Sequence, residues 1–111
     1  FKKSLLKQGW MPPHPTLFLK KEVYDKHGFF DTSLSISADY DFILRVFNDP
    51  KLRFGYLPKV ITAMRLGGKS NRSLKNIFRK SKEDYTAIKK NKIGNFITLI
   101  KKNLSKFKQF I

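Results

Sequence analysis

Cysteine is absent from this 111-residue chain, which excludes a disulfide framework and any thiolate metal site. No apolar run approaches the roughly 18 residues that a membrane-spanning helix requires. The chain opens on Phe1-Lys2-Lys3, with neither an initiator methionine nor a signal-peptide pattern, and so reads as a piece of something larger. Carboxylates are the other scarcity: 8 Asp and Glu stand against 24 Lys and Arg, for a net charge of +16. What is present argues against disorder. A composition of 41% hydrophobic and 14% aromatic residues is more apolar side chain than a disordered chain carries. The length suits one small domain.

The charge is unevenly spread. Residues 1–64 hold 10 Lys and Arg against 6 Asp and Glu, whereas residues 65–111 hold 14 against Glu83 and Asp84 alone. A basic tail of this kind suits nucleic acid, anionic lipid or a phosphorylated substrate, and charge by itself does not choose among them.

Gly9-Trp-Met-Pro-Pro-His14-Pro15 cannot form a regular element, because three prolines in four positions remove backbone donors and push their neighbours toward extended backbone. Thr16 to Leu19 then reads as a short buried strand, and Glu22 to His27 as a short helix closed by Gly28. A longer helix is expected from Ser37, a candidate cap, through Asn48, with Asp39 and Asp41 in the dipole-favoured first turn. Residues 53–64 suggest two strands interrupted at Pro58, and Arg65 to Arg72 a polar loop. From Ser73 the pattern is helical, with Leu74, Ile77, Phe78, Tyr85 and Ile88 near helical spacing. A last helix carries Ile93, Phe96, Ile97, Ile100, Leu104, Phe107 and Ile111. The expected fold class is α+β, mostly helical with a few short strands that need a sheet to join.

Five segments, in this order, carry a resemblance. They are Met11-Pro-Pro-His14-Pro-Thr-Leu-Phe; Lys20-Lys-Glu-Val-Tyr; His27-Gly28-Phe29-Phe30-Asp31; Ser37-Ala38-Asp39-Tyr40-Asp41-Phe42-Ile-Leu-Arg45; and Gly67-Gly68-Lys69-Ser70. Together they resemble the carboxy-terminal, acceptor-side portion of bacterial family 2 glycosyltransferases of the GT-A fold, over roughly residues 9–72. The resemblance implies a partial GT-A fold, without the nucleotide-binding α/β half, and an inverting transfer of a sugar from a nucleotide-sugar to an acceptor hydroxyl. A hydroxyl is a poor nucleophile, so the chemistry needs a carboxylate that takes its proton as the new bond forms. In similar enzymes that base is the Asp before Tyr-Asp, here Asp39. Many relatives carry Glu just before it, where this chain has Ala38.

The resemblance also suggests an acceptor-binding group of His14, Asp41 and Trp10, and a diphosphate-binding loop of Gly67, Gly68, Lys69, Ser70 and Arg72. Each has a structural alternative. Asp41 sits about 200° round a helix from Asp39 and suits an i,i+4 pair with Arg45. His14 suits a packed loop, Trp10 simple packing, and the glycine-rich stretch a flexible loop. His27 reads as a solvent-facing helix end, and Arg45 as a partner of Asp41 or Asp49 or as a group reaching toward phosphate. A divalent ion, Mg²⁺ or Mn²⁺, is expected on the diphosphate in a full enzyme. Its Asp-x-Asp ligands are absent here, since Asp39-Tyr-Asp41 occupies the position of the base motif.

Two parts are therefore expected, an acceptor-side part over 1–72 and basic amphipathic helices over 73–111. If these residues are the whole polypeptide, the donor site is incomplete and no turnover is expected from the chain alone. The expected partners are a nucleotide-sugar donor and a glycan or lipid-linked acceptor, in cell-surface polysaccharide synthesis. Residues 93–111 would lie on anionic lipid at the inner, cytoplasmic face of a membrane, or pack on the same domain or on a second copy in a homo-oligomer. The competing classes are a small basic nucleic-acid-binding domain, for which no motif is present, and a noncatalytic interaction fragment.

Overall fold

The computed structural model describes residues 2–63 and 74–109, with side chains to residue 105. Among them are five α-helices: α1 (Ser4–Lys7), α2 (Lys21–His27), α3 (Ala38–Phe47), α4 (Leu74–Lys90) and α5 (Phe96–Gln109). A single 3₁₀ turn spans His14–Thr16. No helix among the described residues is long and apolar enough to cross a membrane.

The centre is α3. Tyr40, Phe42, Ile43, Leu44, Val46 and Phe47 are all buried, and a helix apolar on nearly every side has to be enclosed by other elements. On one side Phe42 stacks on Tyr24 of α2, ring centroids 5.4 Å apart, and meets Phe30 at 5.0 Å. At the far end Phe47 stacks on Phe54 at 4.1 Å and takes Trp10 edge-on at 6.1 Å. Leu6, Ala87, Ile88, Ile93 and Leu99 complete the core. Both parts expected from the sequence thus contribute to one hydrophobic core.

The α+β expectation is overturned: the described residues contain helices and turns and no strand. Thr16 belongs to the 3₁₀ turn, and Leu17 continues in extended backbone without a ladder partner. Residues 53–63 also run without regular structure. The physical reason is pairing. An extended segment becomes a strand only beside another strand, and no neighbouring segment offers an edge here. Proline at 15 and 58 removes donors that a ladder needs. The GT-A sheet suggested by the resemblance has no counterpart among these residues.

The helix signals fare better. Gly28 caps α2 at φ +75°, and α3 ends at Asn48. Ser37 does stand at the N-terminal cap position of α3, but its hydroxyl bonds elsewhere, to Asp84 of α4. The faces of α4 and α5 differ from the periodic reading. Leu74, Ile77 and Phe78 of α4 and Phe96, Ile97, Ile100 and Leu104 of α5 lie on the surface. Ile88 of the periodic set is buried, and beside it Glu83, Asp84 and Ala87 of α4, with Thr98, Leu99 and Lys102 of α5, turn inward.

α5 is held tightly against the amino terminus by Gly9, which follows α1 at φ +80°. A Cβ there would lie 2.4 Å from the Lys102 Cβ and 2.6 Å from its Cα. Gly9→Ala combines a left-handed backbone with a steric clash. It should lower stability by about 1–3 kcal/mol, read as a lower midpoint in urea unfolding; an unchanged midpoint would remove the contact from the packing of α5.

Candidate active site

The cavity that gathers the chemically capable side chains lies at the amino-terminal end of α3. Its volume is about 260 Å³, and its wall includes Met11, His14, Asp39, Tyr40, Lys80, Asp84 and Lys102, with residues 35–37. Loop, α3, α4 and α5 therefore all contribute to one site.

Asp39 opens α3 in its first turn, where the unpaired amide groups favour negative charge. One carboxylate oxygen, Oδ1, accepts the Tyr40 amide at 2.8 Å. The other, Oδ2, is 3.4 Å from His14 Nε2. His14 is carried by the 3₁₀ turn, with a proline on each side to stiffen it. The two residues singled out by sequence as base and acceptor contact thus share one cavity, and both reach solvent: 31% of the Asp39 side chain and 53% of His14 are exposed.

The other named residues sit elsewhere. Asp41 is wholly buried outside this cavity, with Oδ2 2.8 Å from Arg45 and Oδ1 accepting from Asn91 at 2.8 Å. Lys90 lies 3.5 Å from it and also pairs with Asp31 at 2.8 Å. Arg45 donates further to the carbonyls of His27 and Phe29, fastening the end of α2 to α3. Trp10 packs on Phe47, and the cavity lining does not include it. His27 is not the solvent-facing helix end expected, because it is largely covered and bonds Asp49 at 2.9 Å. Gly67, Gly68, Lys69, Ser70 and Arg72 lie outside the described residues.

Asp39 and Asp41 do not form a metal pair. The first faces the cavity, while both oxygens of the second are held inside the protein. No group of three or more metal-ligating side chains occurs among the described residues. The divalent ion is expected on ligands outside this chain, and Asp39 and Asp41 do not supply them.

The part of the site that sequence reasoning missed is the back wall. Asp84 is 1% exposed, and its Oδ2 accepts from Lys80 and Lys102, each at 2.8 Å. Its Oδ1 accepts from the Ser37 hydroxyl at 2.5 Å. Lys102 also stands 4.5 Å from the Tyr40 ring centroid. Burial alone would raise the Asp84 carboxyl, but the two ammoniums outweigh it and hold Asp84 below its ordinary value. Burial pushes Lys102 down to about 8, against the pull of Asp84. The Tyr40 hydroxyl is raised by burial and then by the Asp84 charge. It is also a buried polar atom without a hydrogen-bond partner among the described residues. One sequence signal pointed here: Glu83 and Asp84 are the only carboxylates after residue 64, and Lys80 precedes Asp84 by one helical turn.

No family model, curated protein or solved structure matches this chain.

Two outcomes follow from this geometry. Asp41→Ala removes the carboxylate shared by Arg45 and Asn91, leaving Arg45 only the carbonyls of His27 and Phe29 and Asn91 only that of Ala87. It should cost about 3 kcal/mol, the low end for a broken buried pair because Arg45 still reaches solvent. Asp39→Asn, at an exposed helix start, should change stability by less than about 1 kcal/mol. Thermal unfolding of both variants checks the contrast, and equal losses would contradict it. Because Asp84 is lowered in the folded state, its stabilisation is complete above the unfolded carboxyl pKa of about 3.9. That stabilisation disappears as pH falls through the folded value. Stability should therefore drop on acidification below about pH 4, less steeply in Asp84→Asn, as followed by circular dichroism against pH.

Proposed function

We propose that this chain forms the acceptor side of an inverting glycosyltransferase, with Asp39 as the base. The observation that carries this reading is the meeting of Asp39 and His14 at a cavity of about 260 Å³. The acceptor enters with a hydroxyl against Asp39 Oδ2. As its oxygen bonds to the anomeric carbon of the donor sugar, the bond to the nucleoside diphosphate breaks on the opposite face. The hydroxyl proton passes to Asp39, and the electron pair of the broken bond leaves with the diphosphate. His14 Nε2 orients the carboxylate or the incoming hydroxyl. The tyrosine amide fixes the other carboxylate oxygen, so one lone-pair direction stays aimed at the acceptor.

The order of the five sequence segments supports the same reading. A nucleotide-sugar donor would be held by a nucleotide-binding half, which this stretch does not supply. The exposed apolar side chains of α5, with Lys101 beside them, support an acceptor presented at a membrane surface.

In a protein that joins this chain to a nucleotide-binding half, Asp39→Asn should reduce turnover by about 10²–10⁴-fold and leave binding of the nucleotide-sugar unchanged. Radiolabelled sugar transfer and calorimetric donor binding measure the two effects. Turnover that survives the substitution would take the role of base away from Asp39.

A further inference from the structure

We propose that Lys80 and Lys102 form an oxyanion subsite in the back wall of this cavity, which selects an acceptor bearing a phosphate or carboxylate beside its reacting hydroxyl. As a statement about the acceptor, this rests on the transferase reading above; the anion subsite itself does not.

Charge is the first support. Two ammoniums converge on one oxygen of Asp84, so this wall holds two positive charges against one negative. The other carboxylate lining the cavity is Asp39, which loses its charge once it has taken the hydroxyl proton. At that moment an anionic group on the acceptor remains matched by the wall.

Hydrogen-bond capacity is the second. An ammonium has three donors, and Asp84 takes one from each lysine, which leaves donors for a further acceptor atom. Tyr40 lines the same cavity, and its buried hydroxyl has no hydrogen-bond partner among the described residues.

Cost is the third. Burying two ammoniums and a carboxylate is a poor way to stabilise a small protein, since apolar side chains of similar volume do as well or better. Lys102 is fetched from α5, 18 residues beyond Asp84, and side-chain exposure falls to 9%. Ionisable groups gathered at such expense in a cleft are a mark of functional sites. The volume of about 260 Å³ lies below the roughly 300–1,000 Å³ of ordinary ligand pockets, which suits one sugar unit with its charged substituent.

The test is calorimetric titration of the chain itself with glucose 6-phosphate, glucuronate, glucose and uridine diphosphate. Both acidic sugars should bind at least about tenfold more tightly than neutral glucose. Lys80→Met and Lys102→Met should each reduce that preference about tenfold, with helicity checked by circular dichroism. No preference in the unaltered protein overturns the proposal, whether or not the variants fold. A preference that persists in both folded variants overturns it too. If uridine diphosphate competes with the acidic sugars and shows the same lysine dependence, the subsite belongs to the leaving diphosphate and the assignment to the acceptor is wrong. Binding needs no turnover, so failure here is distinct from failure of Asp39 as base.

Discussion

The buried carboxylate of Asp84 is the constraint on which the rest of this molecule depends. It sits at 1% exposure and collects Ser37 from the start of α3, Lys80 from its own helix and Lys102 from α5. Three elements are thereby fixed at one point. A buried charge without partners would be severely destabilising, and each partner removes part of that cost only in a narrow geometry. The same bonds determine where α3 begins, which face α5 presents and how the cavity is walled.

A second anchor works from the other side of α3. Asp41 fastens Arg45, Asn91 and Lys90, and Arg45 carries the connection on to the carbonyls at the end of α2. The central helix is thus pinned at both flanks by acidic groups, with stacked aromatic rings filling the space between. In a chain with only 8 carboxylates, two of them are committed to holding α3 and are fully enclosed. Asp39, between the two pinned positions in sequence, keeps a face toward the cavity.

Local features were legible in the sequence, and relations between distant segments were not. Gly28 and Asn48-Asp49-Pro50 bounded α2 and α3 because capping and helix-stop chemistry act within a few residues. The gathering of His14 and Asp39 followed from ordered motifs. The strands at 16–19 and 53–64 were misjudged because apolar, β-branched composition says only that a segment tolerates extended backbone. Whether a partner strand lies alongside is decided by the rest of the fold. Helix periodicity located α4 and α5 but did not fix their buried faces: Ile88 and Ile93 are enclosed, while most of the other apolar side chains it picked out lie on the surface. The rule that apolar side chains turn inward fails where oppositely charged groups neutralise one another inside. Lys80 and Asp84, one turn apart, hinted at that exception. Lys102 could not have been joined to them without the packing of α5.

One part of the cavity wall is tied together by hydrogen bonds, and another part reaches solvent. Lys80, Lys102, Ser37 and Asp84 restrain one another through bonds of 2.5–2.8 Å, and α5 cannot retreat easily while Gly9 lies against the backbone of Lys102. Asp39 and His14 line the same cavity, 3.4 Å apart and both partly exposed. A group that must accept a proton benefits from freedom to close on its substrate, since such contacts commonly tighten only in the reacting complex. A group that must hold a charge in place benefits from the reverse, because fixed donors need not reorganise as charge develops. In the proposed reading the tethered lysines seat the charged end of the acceptor, while Asp39, one oxygen of which is held by the Tyr40 amide, receives the proton at the other.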